Sequence, residues 1–214
     1  KTLVNLKASV DKAKAAELAF LQAQIKPYFL FNVLNTISSF CDTDPGRAGK
    51  LIEELANYLR QSFDFKNLDI LVSIDREMRL VRSYVEIEKA RFGDELVVEI
   101  NLDDGVQADV PPLSIQPLVE NAIRHGLRKK GGRGTVTVSV RKVPGGVLVT
   151  VGDDGQGIPV GRLGGLLTSG GGRVGLRNID SRLRRLYGTG LSIRSEPGRG
   201  TDVSFFVPLG GVLR

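Results

Sequence analysis

The 214-residue chain carries 30 Lys and Arg against 24 Asp and Glu, for a net charge of +6, and is 41% hydrophobic and 25% charged, enough apolar content for one moderate domain or two small ones. No apolar run approaches the ~20 residues needed to cross a bilayer and no signal peptide opens the chain, so a cytoplasmic portion is expected. The single Cys41 excludes an internal disulfide or a cysteine metal cluster, and the basic excess lies in glycine-rich segments without interleaved aromatics, which weighs against nucleic acid as a partner.

Residues 2–25 place Leu3, Leu6, Val10, Ala13, Ala16, Phe20 and Ala23 at spacings of three and four, which predicts a helix with one buried stripe. The pattern opens without a capping signal, and further chain upstream is expected. Pro27 removes a backbone donor and crowds the preceding turn, so a kink or an end is expected there. Phe29, Leu30, Val33, Leu34 and Ile37 then resume the periodicity, and "CDTDPGRAG" predicts a turn. A second helix over about 47–65, with Leu51, Leu55, Tyr58, Leu59 and Ser62 on one face, would return antiparallel to the first. A third follows Ser73, a candidate N-cap with Asp75 and Glu77 in its first turn, and runs to about Phe92, where "FGDE" ends it.

From Glu95 the period changes to two. "ELVVEINL", "TVTVSVRK", "GVLVTVGD", "LSIRSE" and "TDVSFFVP" alternate like half-buried strands, interrupted by helical patterns at 113–129 and 174–187. The fold class expected is α+β: an N-terminal helical hairpin, then a two-layer sandwich of a mixed sheet with helices on one side. The divisions are 1–66 for the hairpin, 67–94 for a linker helix and 95–214 for the sandwich. The low-complexity patch "GRLGGLLTSGGGRVG" is too glycine-rich to hold one conformation by itself.

Three stretches carry chemistry. In "PLSIQPLVENAIRHGLRKK", helical spacing buries Leu118, Ala122 and Leu127 and aligns Asn121, His125 and Arg128 on a second face, where an amide, an imidazole and a guanidinium could line a polyphosphate and its metal. In "VTVGDDGQGIP", a strand delivers Asp153 to a turn where Gly155 and Gly157 allow close approach of backbone to a ligand, and a carboxylate there suits an amino-substituted ring. "GGGRVGLRNIDSRLRRLYG" is a glycine-rich entry to a helix whose free N–H groups can hold phosphate. Each alone also fits a plainer reading: a mixed polar surface helix, an acidic hairpin turn, a flexible connection. None has P-loop or dinucleotide-binding spacing.

In that order, and closed by "GRGTDVSFFVP", the stretches resemble the nucleotide-binding domain of the GHKL superfamily over about residues 95–209. "LQAQIKPYFLFNVLNTI", "YVEIEKARFGDEL", "QPLVENAIRHGL" and "VGLRNIDSRLRRLYG" resemble the LytS-like branch of sensor histidine kinases and extend the match to about 18–209. The resemblance implies ATP and Mg²⁺ as cofactors. Asn121 matches the magnesium ligand, and Glu120 before it matches a residue orienting metal-bound water. Arg124 and His125 match positions beside the nucleotide, Asp153 the adenine-reading carboxylate, and Gly155 and Gly157 the turn over the base. Gly175 and Leu176 open the phosphate-facing helix behind a lid at 158–174, and Thr201 closes the adenine pocket. Two departures are Asp154, where this branch commonly has asparagine, and Arg173, where a glycine is expected.

A larger departure lies in Lys26-Pro27-Tyr28-Phe29-Leu30-Phe31-Asn32, where the branch has "NPHFLFN" and its histidine receives the γ-phosphoryl group. Tyr28 holds the phosphoacceptor position. Imidazole is nucleophilic near neutral pH, whereas a phenol, with a pKa of about 10, stays protonated and needs a base. Pro27 and Phe29 offer none, and His125, the single histidine, belongs to the nucleotide motif. Three explanations stand open: an introduced block to phosphorylation, a pseudokinase scaffold that binds ATP and signals by shape, or phosphorylation of the tyrosine itself. The resemblance further implies a homodimer through a four-helix bundle, a response-regulator partner and membrane attachment through segments upstream. The rival classes are a GHKL-type ATPase with Glu120 activating water, and an anti-sigma-type binding module, which would not require the hairpin.

Overall fold

The computed structural model describes residues 27–64, 71–126, 133–159, 161, 165–167 and 174–209. The chain divides into two compact units, 1–66 and 67–214. The helix expected over 2–25, Leu127, Arg128, Arg173 and most of the expected lid lie outside the described residues.

The first unit contains helices α1 (Pro27–Thr43) and α2 (Pro45–Asp64). Pro45 stands at a helix start, where the missing N–H is no loss because the first turn has no intrahelical acceptors for it. The turn expected over "CDTDPGRAG" is thereby reduced to Asp44. Its carboxylate accepts the Arg47 N–H at 3.0 Å and caps α2, while its own N–H donates to the Phe40 carbonyl at 2.8 Å. The expected stripes meet: Phe29, Val33 and Ile37 of α1 are buried, as are Ala48, Leu51, Leu55, Tyr58 and Ser62 of α2. The Phe29 and Tyr58 rings pack 5.2 Å apart at 57°. Leu34, expected on that stripe, is instead exposed.

The second unit is built on a five-stranded sheet in the order β2-β4-β5-β7-β6, comprising β2 (Leu96–Leu102), β4 (Gly134–Val143), β5 (Gly146–Asp153), β6 (Ser192–Glu196) and β7 (Gly200–Pro208). β2 runs parallel to β4, and every other pair is antiparallel. Val136, Val138 and Val140 alternate with half-buried Thr135, Thr137 and Ser139, so one face is apolar and closed while the other meets water. Three helices cover the closed face: α3 (Ile74–Phe92), α4 (Gln116–Gly126) and α5 (Val174–Tyr187). Ser73 caps α3, its hydroxyl accepting the Arg76 N–H, and Gly93 ends the helix at φ 57. A two-stranded ribbon of β1 (Val72–Ser73) and β3 (Asp109–Val110), too short to leave a periodic trace in the sequence, pins the entry to α3. No helix among the described residues is long and apolar enough to cross a membrane.

Candidate functional site

The polar stripe of α4 faces the end of β5 across a cavity of about 470 Å³. The helix wall presents Leu118, Asn121, Ala122 and His125. Asn121 and His125 are four residues apart, one turn along the same face, while Leu118 and Ala122 turn into the core. The sheet side presents Val151, Asp153, Thr201 and Val203, and α5 contributes Leu176. Ile158, Pro159, Leu166, Ile193 and Pro197 complete an apolar slot. An apolar slot with a few convergent polar groups is the usual form of a small-ligand site.

The turn after Asp153 is held by its own carboxylate, whose Oδ1 accepts the Gly155 N–H at 2.9 Å. A Cβ at Gly155 would stand 2.7 Å from the His125 carbonyl oxygen and 3.0 Å from the Gly126 Cα, so only glycine lets this turn sit against the end of α4. Gly157 has φ +68, and a side chain there would collide with the backbone of Glu196. Opposite, the Ser195 hydroxyl accepts the Ile158 N–H, donates to the Gly200 carbonyl and lies 2.8 Å from the Thr201 hydroxyl. Ser195 thus ties the turn to the strand pair β6 and β7 beside Thr201. It escaped the sequence reading because it is one polar residue of an alternating strand. Asp154 turns away from the cavity and accepts the Thr135 N–H at 2.8 Å, a bond that an asparagine oxygen could equally accept.

The structure therefore brings Asn121, His125, Asp153, Gly157, Leu176 and Thr201 to one cavity, with Gly155 buried beneath its floor. It places three other candidates off the lining. Glu120 and Arg124 form an i,i+4 ion pair at 2.5 Å on the neighbouring face of α4, and Gly175 is exposed at the start of α5. Glu120 and Arg124 lie close enough to Glu88 of α3 to act on its charge. Burial pushes the Glu88 carboxyl above the usual range, Arg91 and Arg124 pull it back, and Glu120 adds to the rise. Tyr28 belongs to the other unit, on α1, where it is 73% exposed.

The site fits an adenine nucleotide on its own chemistry. Val151, Ile158 and Ile193 offer faces for a flat ring, and the carboxylate of Asp153 can accept from an exocyclic amine. No group of three or more His, Cys, Asp or Glu side chains forms a metal-binding set among the described residues. The cavity does offer oxygen donors, among them the Asn121 amide oxygen, a hard ligand of the kind Mg²⁺ accepts when phosphate oxygens and waters supply the rest of its shell.

Two family models match: "Histidine kinase" over residues 16–96, and "Histidine kinase-, DNA gyrase B-, and HSP90-like ATPase" over residues 113–211. The protein YwpD of Bacillus subtilis (strain 168) is 43% identical over 209 residues, covering 97% of this chain and 75% of YwpD. The sensor histidine kinase YpdA of Escherichia coli (strain K12) is 42% identical over 201 residues, 92% of this chain and 35% of YpdA. The sensor protein LytS of Bacillus subtilis (strain 168) is 38% identical over 204 residues, 92% of this chain. The chain spans only 34% of LytS, a share close to that of YpdA. Among solved structures, the histidine kinase domain of the Erythrobacter litoralis EL346 blue-light activated histidine kinase superposes with a TM-score of 0.52 at 23% identity, over 91% of this chain and 94% of that one. The catalytic domain of histidine kinase ThkA superposes at 0.53 with 14% identity, over 64% of this chain and 94% of that domain. Both share the fold.

Proposed function

Since the chain belongs to the LytS-like sensor histidine kinases of the GHKL superfamily, we propose that it binds Mg²⁺-ATP in the α4–β5 cavity as the catalytic portion of a two-component sensor. The family reaction moves the γ-phosphoryl group to the acceptor position of α1, held here by Tyr28, and then to a response-regulator protein. The observation that carries this reading is that one cavity gathers Asn121 and His125 from α4 with Asp153 and Thr201 from the sheet.

Phosphoryl transfer asks the protein for positioning and charge neutralisation more than for covalent help. Asp153 accepts from the adenine amine, Thr201 closes the ring slot, and Gly155 and Gly157 let backbone approach the base. Asn121 would hold Mg²⁺, which when bound would neutralise phosphate oxygens; His125 would stand beside the phosphates, and Arg124, off the cavity lining and paired with Glu120, would have to leave that pair to reach them. Gly175 and Leu176, where the family resemblance puts the entry to α5, would offer backbone N–H groups to phosphate. Glu120, off the cavity lining and paired with Arg124, would have to turn toward the cavity to orient a metal-bound water. Two hairpins pair into a four-helix bundle, and membrane attachment comes through segments outside this chain.

The test is label incorporation from γ-labelled Mg²⁺-ATP into this chain and into Tyr28→His side by side. Position 28 is exposed, so an imidazole there meets solvent without repacking the hairpin. Label in the histidine variant alone is expected: the P–O bond to ADP breaks and a P–N bond forms on the restored ring. Nucleotide binding without label in either chain would favour the pseudokinase scaffold, for which the tyrosine at this position is the supporting observation. Steady ATP turnover abolished by Glu120→Ala would move the chain to the GHKL-type ATPases.

A further inference from the structure

Glu77 lies in the first turn of α3, where a carboxylate is expected to face water and complement the positive end of its own helix. It is instead completely buried. Its two oxygens accept three successive backbone N–H groups from a distant loop: Leu113 at 2.5 Å, Ser114 at 3.0 Å and Ile115 at 2.8 Å. That loop leads directly into α4, the helix that carries Asn121 and His125. The N–H groups at a helix start have no intrahelical acceptors, so Glu77 serves as a cap supplied by another helix.

The opposite side of the same loop is gripped from α5. Arg182 donates from Nη1 to the Pro112 carbonyl at 2.5 Å and from Nη2 to the Leu113 carbonyl at 3.1 Å. Between the two grips, Leu113 is the one non-glycine residue with positive φ among the described residues, at 56°. Such a conformation persists only where its surroundings over-determine it. Ser114 closes the turn by donating from its hydroxyl to the Pro111 carbonyl at 2.7 Å. Burial holds the Glu77 carboxyl above the usual carboxylate range against the pull of these backbone bonds, and burial lowers Arg182 against the pull of Glu77.

We propose that Glu77 and Arg182 are positioning residues for the nucleotide site. Clamping loop 111–115 from both sides, they fix where α4 begins and so where Asn121 and His125 stand in the cavity wall. Because the clamp joins α3, α4 and α5, a displacement of the first turn of α3 reaches the pocket through one carboxylate. The inference rests on reading the cavity as a nucleotide site, and its test separates the two.

His125 is the single histidine in the chain, so its ring gives one set of NMR signals that reports the place of α4 without any ligand. Glu77→Gln keeps the shape but points an amide N–H₂ at backbone donors. The expected result is a shift of the His125 ring signals in the free protein and about tenfold weaker binding of Mg²⁺-ATP, because the competent arrangement of α4 becomes a minor population. Glu77→Asp, which restores the charge at shorter reach, should recover part of both. Arg182→Lys keeps charge and loses the two-pronged donation, and should move both readouts in the same direction by less. Unchanged His125 signals and unchanged affinity in a cooperatively folding Glu77→Gln chain overturn the proposal. If that variant does not fold, Arg182→Lys decides by the same two readouts. A parent chain that binds no nucleotide overturns the functional reading, and the ligand-free His125 signals then decide the clamp by themselves.

Discussion

The two units leave different things unfinished. The hairpin closes one seam between α1 and α2, yet Tyr28, Phe31, Leu34 and Ile52 remain exposed, Phe31 at 67% and Ile52 at 52%. Among its described residues the α/β unit exposes few large apolar side chains: Val97 and Leu102 on the edge strand β2, and Leu209 after β7. Its opening is a concavity lined by both apolar and polar groups. A convex apolar stripe is covered by another protein surface, whereas a walled cavity with convergent donors and acceptors takes a small molecule. One chain thus carries two kinds of incompleteness, in separate units.

The strongest way to break the contrast is to make the hairpin stripe polar. If two hairpins pair as proposed, Phe31→Glu with Leu34→Glu should convert that dimer to monomers in analytical ultracentrifugation while nucleotide affinity in the α/β unit stays as it was. Full burial of an exposed large apolar side chain is worth about 1.5–3 kcal/mol; Phe31 and Leu34 keep about half of that to gain on pairing, and a dimer would lose four such contributions, so the dissociation constant should rise more than ~10²-fold. An unchanged dimer would place the pairing surface elsewhere, and loss of nucleotide binding would show that the two units are not independent.

The reciprocal change leaves the hairpin alone and alters the cavity. Asp153→Asn keeps an oxygen for the Gly155 N–H, so the turn should hold, but it removes the charged acceptor for an amine. A hydrogen bond to a charged group contributes about 1.5–3 kcal/mol, which predicts a ~10- to 100-fold loss of ATP affinity by calorimetry with no change in oligomeric state. The variant should also lose most of the parent's preference for ATP over inosine triphosphate, which lacks the amine. A variant that retained this preference would take the adenine-reading role from Asp153.

How much of this was legible in the sequence follows from how local each cause is. The period-two runs at 95–102, 135–142, 146–153, 191–196 and 201–208 became the five strands of the sheet almost residue for residue, because alternating burial is recorded in the chain itself. The Asn121 and His125 stripe was legible for the same reason, as a helical face. Two kinds of feature were not. Turn signals overstated the break between α1 and α2, since Asp44 and Pro45 cap a helix as readily as they make a loop. Long-range polar ties left no local trace. Glu77 reads as an ordinary first-turn acid, and only the fold shows its oxygens on N–H groups some three dozen residues later. Ser195, beside Thr201, is hidden in the same way.

The smallest effect expected tests one such long-range tie and sharpens the contrast from within the α/β unit. Tyr187, at the end of α5, donates its hydroxyl proton to the Asp109 carbonyl at 2.5 Å and so holds α5 to β3. Burial, with a lesser push from the Asp109 charge, raises its ionisation to about 12. The folded value lies above that of a free phenol, about 10, so the tie contributes in full below pH 10 and fades as pH climbs toward 12. Tyr187→Phe leaves the Asp109 carbonyl without this donor and should cost about 1 kcal/mol in neutral denaturant unfolding. The same variant should remove part of the parent's loss of stability between pH 10 and 12, while any pairing of the hairpin is untouched. A variant as stable as the parent at neutral pH, with the same alkaline slope, would mean that α5 is held without this tie, by the apolar face of Leu176, Ile179 and Leu183 and by the Arg182 bonds to loop 111–115.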